Sequence, residues 1–197
     1  RAVAADPVAF TQSGNLAHYL LHAGRYEEAL AEFWRSIELN PIKLEDSRPF
    51  IARTLVQLER HQEALDLAGA IEDPASRSLV RAMALTGLGH TSRAGAAIQE
   101  LESFSGLKAM VLRAQWYAWS GNPNLAFQSL NHCLAQVVES GADWHHIGLL
   151  ETAKASPMFS EIRPDPRWKT WLDALRAVEA SLETTETESN TMLAPEA

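Results

Sequence analysis

Four alanines recur along this chain at nearly even intervals: Ala29, Ala64, Ala94 and Ala126 lie 35, 30 and 32 residues apart. Each follows by five residues a position suited to chain reversal, namely Gly24, Glu59, Gly89 and Gly121. Three of these four reversal positions are glycine, which accepts the positive φ that ends a helix. The first unit shows the flanking pattern best. Leu16, Leu20 and Leu21 recur at helical spacing before Gly24, and Ala29, Leu30, Phe33, Ile37 and Leu39 do so after it. Apolar residues at i, i+3 and i+4 on both sides of one glycine describe an antiparallel helical hairpin. Paired helices approach to about 8–10 Å, and the point of closest approach excludes large side chains. A small residue at a fixed distance past each turn meets that need. Repetition with such a period implies hairpins that bury their apolar faces on one another, so the fold class is all-α.

These residues resemble the tetratricopeptide repeat, a helix-turn-helix unit of about 34 residues. That family has a large and then a small residue early in the first helix. Leu16-Ala17 and Ile51-Ala52 supply both, while Arg81-Ala82 and Arg113-Ala114 keep only the small one. An aromatic or leucine follows one turn later, here Leu20, Leu55, Leu85 and Tyr117. The tyrosine after the turn (Tyr26), the bulky residue of the second helix (Phe33, Ile98, Leu130) and the closing proline (Pro7, Pro41) complete the likeness. The resemblance covers residues 10–140 as four repeats and implies a right-handed superhelix of antiparallel hairpins.

Other joints are punctuated by Asx-Pro pairs: Asp6-Pro7, Asn40-Pro41, Asp73-Pro74, Asn122-Pro123 and Asp165-Pro166. Asp or Asn caps a helix start and Pro fits its first turn, where no N–H partner is needed. The 30-residue interval around Asp73-Pro74 implies a shortened second helix or connection. At the start, Arg1–Ala5 aligns with the end of a second helix, so residues 1–9 read as the tail of a preceding repeat in a longer protein. Residues 141–180 read as a C-terminal cap: a helix to about Ala155, a break at Pro157, and a last helix from Arg167 to about Leu182 with Trp168, Trp171, Leu172 and Leu175 as its apolar stripe. Residues 181–197 are acidic and polar, and read as a disordered tail. The segment from Pro157-Met158-Phe159 through Arg163 and Asp165-Pro166-Arg167-Trp168 resembles the closing segment of repeat arrays in bacterial class III adenylate or guanylate cyclases and winged-helix regulators, from which Pro164 departs.

Charge narrows the function. With 17 basic against 25 acidic residues and a net charge of −8, no basic face is available to neutralise phosphates. Neither nucleic acid nor an anionic membrane surface is an expected partner. No apolar run reaches the ~20 residues that cross a bilayer. Cys133 is the one cysteine, so no intramolecular disulfide forms, which fits a reducing compartment. The expectation is a cytoplasmic protein, with the periplasm left open.

Reactive constellations are weak. His18 and His22 share a helix face, but Tyr19-Leu20-Leu21 fills the gap where a metalloprotease helix carries its acid. His145 and His146 are adjacent and point in different directions. Cys133 beside His132 falls where the family has a small buried residue, and a buried thiol is inert. There is no glycine-rich phosphate loop, nucleophile elbow or cysteine pair for zinc. No catalytic residue, metal or cofactor is expected.

What the resemblance offers instead is a concave groove lined by first helices. Alignment in register puts His18, His22, Arg53, Gln57, Met83, Gln115 and Trp119 along it. Trp119, an aromatic with a polar edge, suits a peptide hot spot. The carboxylate clamp of chaperone-tail-binding members has no counterpart: its slots hold Gly14, His18, Phe50, Ser76 and Val80. The expected function is a protein- or peptide-binding module in the regulatory or scaffold part of a larger bacterial protein. The alternative is an oligomerisation domain of a signalling enzyme or regulator, pairing through the first hairpin and the tryptophan-rich cap. If the alanines mark helix contacts, Ala64→Leu overpacks one and lowers the urea-unfolding free energy by about 1–3 kcal/mol.

Overall fold

The computed structural model describes residues 7–141 and 143–192. They are all-helical, with no strand among them. The chain divides into two compact units, residues 1–105 and 106–197.

The first unit holds three hairpins. They are α1 (Pro7–His22) with α2 (Tyr26–Leu39), α3 (Leu44–Gln57) with α4 (His61–Ala68), and α5 (Pro74–Gly87) with α6 (Thr91–Ser103). A single 3-10 turn, Pro41–Lys43, precedes α3. Successive helices pack side by side, and α3 also packs on α5. The second unit contains α7 (Leu107–Trp119), α8 (Pro123–Glu139), α9 (Trp144–Ala155), a 3-10 segment Pro157–Ile162, and α10 (Pro166–Met192). Its α7 packs against α8, α9 and the 3-10 segment, and α10 lies on α8.

The four expected reversal positions are all left-handed: φ is +74° at Gly24, +58° at Glu59, +75° at Gly89 and +78° at Gly121. Each turn closes with the same pair of backbone bonds. The left-handed residue donates three residues back, as from Gly24 to Leu21 at 3.2 Å. The next residue donates five back: Arg25 to Leu20 at 2.9 Å, Arg60 to Leu55 at 2.9 Å, His90 to Leu85 at 2.8 Å and Asn122 to Tyr117 at 2.7 Å. This is the Schellman arrangement, which satisfies the last carbonyls of the first helix. The acceptors of the longer bond are the leucines and tyrosine that the repeat pattern marks.

Across each turn, the alanine amide closes the first bond of the second helix, as from Ala29 to Arg25 at 2.9 Å. Ala29, Ala64 and Ala126 are 0% exposed and Ala94 is 3% exposed. The side chains of Asp73, Asn122 and Asp143 accept from the backbone amides of Ser76, Leu125 and His146, capping α5, α8 and α9. The short interval before Asp73 is explained by α4, which has only 8 residues.

The closing segment of the second unit is built by long side chains. The Arg163 guanidinium donates to the carbonyls of Lys154 (3.3 Å), Ala155 (3.1 Å) and Ser156 (3.1 Å) at the end of α9. Trp171 is buried and its indole N–H donates to the Leu130 carbonyl at 3.3 Å, tying α10 to α8. Arg167 pairs with Asp165 at 2.7 Å, donates to Asn124 Oδ1 at 2.8 Å and lies 4.5 Å over the Phe127 ring. Trp168 packs on Phe159, with ring centroids 5.5 Å apart.

Several sequence expectations change. Helix α1 begins at Pro7, so residues 7–9 belong to the first hairpin, because a proline at the first helical position starts a helix. Arg1–Ala5 lie outside the described residues. Leu16 remains 45% exposed although its repeat equivalent Ile51 is fully buried. The fourth hairpin packs with the C-terminal elements, and the division falls at Gly106, whose φ is +91°. Helix α10 continues to Met192, ten residues past its expected end, since no glycine or proline interrupts residues 167–192.

Glu59 is the one non-glycine among these reversals, and a side chain costs about 1–2 kcal/mol in that conformation. Glu59→Gly recovers part of this against the entropy of glycine in the unfolded chain. The expected stabilisation is about 0.5–1 kcal/mol, while Gly24→Ala costs a similar amount, both read from urea midpoints at constant m.

Candidate partner-binding faces

In the first unit the residues proposed from sequence fall on α1, α3 and α5. Position 18 of α1 looks across to α2 and α3. The His18 ring stands edge-on to Phe33 at 5.2 Å and to Phe50 at 4.4 Å, and Phe33 stacks with Phe50 at 6.3 Å. One turn along α3, the Arg53 guanidinium sits 4.7 Å over the Phe50 ring, and its Nε donates to the Pro49 carbonyl at 3.1 Å. A guanidinium on an aromatic face gains from the ring quadrupole. Pro49 lies inside α3, and its carbonyl is the acceptor that fixes the Arg53 side chain.

Electrostatics follow from that packing. Burial first, then the positive potentials of His22 and Arg53, push the His18 imidazole down to about 4, so it is neutral at pH 7. Burial also brings the Arg53 guanidinium down to about 10, which leaves it charged. His22 and Gln57 are partly buried on the same two helices. The combination is a neutral aromatic pair, one fixed cation and polar edges. It can hold a polar or aromatic ligand group.

Met83 is a correction. It is fully buried, because α5 is covered by α3, α4 and α6, and it presents no surface to a ligand. In the second unit Gln115 is likewise buried at 4% exposure. Trp119 is partly exposed at the end of α7, with its ring 5.7 Å from that of the buried Trp116. Tyr117 packs on the core of that unit. The proposed set is therefore divided: His18, His22, Arg53 and Gln57 lie in one unit and Trp119 in the other. Phe50, which the sequence marks only as an occupant of a clamp slot, joins His18 and Arg53 here, and its place one turn before Arg53 is the signal for it.

The remaining candidates have structural explanations. Cys133 is fully buried and burial pushes its thiol up to about 12. Asp143 caps α9 and lies 3.2 Å from His146 Nδ1, while the His145 and His146 rings are 6.0 Å apart at different angles. Among the described residues no group of three or more His, Cys, Asp or Glu is placed to hold a metal. No helix there is long and apolar enough to cross a membrane.

No family model, curated protein or solved structure matches this chain.

His18 generates a pH prediction. Its folded value lies below the unfolded 6.5, so its contribution is present above pH 6.5 and is lost as the pH falls toward 4. In that window the unfolded chain takes a proton that the folded chain refuses. Allowing for partial solvent screening, the loss by about pH 4.5 is on the order of 1–2 kcal/mol. Urea unfolding of His18→Leu lacks this part of the pH slope, whatever its stability at neutral pH.

Proposed function

We propose that this chain is a protein-interaction module built of tetratricopeptide-like hairpins, in which the first helices receive a partner segment. On this reading the hairpins form a right-handed superhelix with a C-terminal cap, and the module serves as the regulatory or scaffold part of a larger bacterial protein. No reaction is assigned to the chain itself.

The observation that carries the reading is the Arg53 guanidinium held over Phe50 and beside a neutral His18. Rigid aromatic faces with a fixed cation recognise ligands with little ordering cost. Their support comes from Pro49 and Phe33, so the surface is preformed and does not depend on a ligand to assemble it. Gln57 and His22 border this platform in the first unit. Trp119 offers a separate, partly exposed aromatic in the second. The four-fold repetition of turn and alanine supports the family reading independently of any site.

Arg53 is too embedded for a charge reversal to be a clean probe, since a carboxylate over Phe50 would unsettle the cluster. Gln57→Ala is better. A random peptide library displayed on phage and selected on the immobilised chain is expected to return a consensus sequence. Its calorimetric affinity then falls about tenfold with Gln57→Ala, with the circular-dichroism spectrum unchanged. Failure to enrich any sequence, or binding indifferent to this change, removes the proposal.

A further inference from the structure

We infer that Glu151 of α9 and Glu179 of α10 share one proton, and that this proton latches the C-terminal helix to α9 in acid and loosens its hold as the pH rises. The latch lies within the second unit and does not depend on the peptide-binding reading.

Both helices contribute to one apolar core. Leu150 of α9 is fully buried there, with Leu149, Val178 and Leu182 packed around it. Glu151 follows Leu150 and Glu179 follows Val178, and both glutamates are half-buried. The two oxygens of Glu151 are treated differently. Oε2 pairs with Lys154, one turn along α9. Oε1 is shut off from water and receives no ordinary donor of the protein. The Glu179 carboxyl is in hydrogen-bonding contact with that of Glu151. Two carboxylates have no hydrogen to place between them, so the contact is a hydrogen bond only when one of them is protonated. The ammonium lies on Glu151, so Glu179 takes the proton, and its O–H gives the enclosed Oε1 the donor it lacks. Without that proton a buried acceptor is left open and a second negative charge stands beside the first.

The surrounding charges agree with this placement. Burial first, then the bond to Glu151 and its negative charge, hold the Glu179 carboxyl above the ordinary glutamate value of 4.5. Lys154 from α9 and Arg176, one turn earlier on α10, pull the other way without reversing it. Arg176 is itself paired with Asp173 at 3.1 Å, and Glu183, one turn later, is exposed. Helix α8 also packs on α10; its His132 and Glu139 are exposed, and burial keeps its Cys133 as the thiol. The 3-10 segment meets α10 at Trp168, about three turns before Glu179. A group whose folded value is raised contributes stability that is complete below its unfolded value and is lost as the pH rises through the folded one. The latch is therefore closed at pH 4.5 and below, and it opens above that pH. His18 in the first unit has the opposite sense, losing its contribution as the pH falls.

Because the two groups oppose one another in a global unfolding curve, the test uses probes that report single residues. Carbon-13 NMR of the glutamate carboxyl carbons in the full chain is expected to place the Glu179 midpoint above 4.5. Glu151→Gln removes the neighbouring negative charge and lowers that midpoint, whereas Lys154→Met removes an opposing cation and raises it. Corrected for intrinsic exchange, the hydrogen-exchange protection of the Val178 and Leu182 amides falls about threefold or more as the pH passes the midpoint. Glu179→Gln, a neutral donor of the same shape at every pH, keeps that protection at about pH 8. A Glu179 midpoint at or below 4.5, or one indifferent to both Glu151→Gln and Lys154→Met, overturns the shared proton. Protection that ignores pH, or that falls equally in Glu179→Gln, overturns the latch.

Discussion

The left-handed residue between paired helices governs most of what this chain builds. At positions 24, 59, 89 and 121 a positive φ lets two backbone amides turn back onto the helix just completed. One of those amides belongs to the residue whose carbonyl then accepts the first bond of the next helix. A span of about ten residues is thereby held by backbone geometry alone: the bulky acceptor residue, the reversal, the cap and the alanine. The reversal directs the second helix back along the first, and the alanine just beyond it is enclosed at 0–3% exposure. The interval between turns can then vary, as the eight-residue α4 does, without disturbing any individual hairpin.

The second unit ends differently, and the difference is one of side-chain reach. Helix α9 has no left-handed residue to close its last carbonyls. Arg163 performs that task from eight residues downstream, with a cation at the negative end of the helix dipole. Trp171 adds a large buried surface and places its single donor on a helix carbonyl, so the indole is both apolar filler and a satisfied polar group. These commitments carry a functional consequence. Residues that look like an aromatic docking surface in the sequence are spent inside the unit.

Exposure also separates the proposed binding residues. Helix α5 is enclosed by three neighbours and loses Met83 to the core, whereas α1 and α3 keep His18, His22, Arg53 and Gln57 at or near the surface. His18 remains neutral because burial first, and then the positive potentials of His22 and Arg53, disfavour its protonated form. One apolar environment thus determines both the shape of the platform and its charge.

The turns, the buried alanines, the Asx caps, the short α4 and the buried Cys133 were all legible in the sequence. Each depends on a conformational preference or a side-chain volume expressed within a few residues, and local physics of that kind survives without knowledge of the neighbours. Tertiary structure decided the rest. Leu16 and Ile51 occupy the same step of the repeat, yet one is solvent-exposed and the other enclosed. Met83 and Gln57 both read as groove residues, yet only one has a surface. Those outcomes turn on which distant helix lies against a given face, and burial is a property of that contact rather than of the residue.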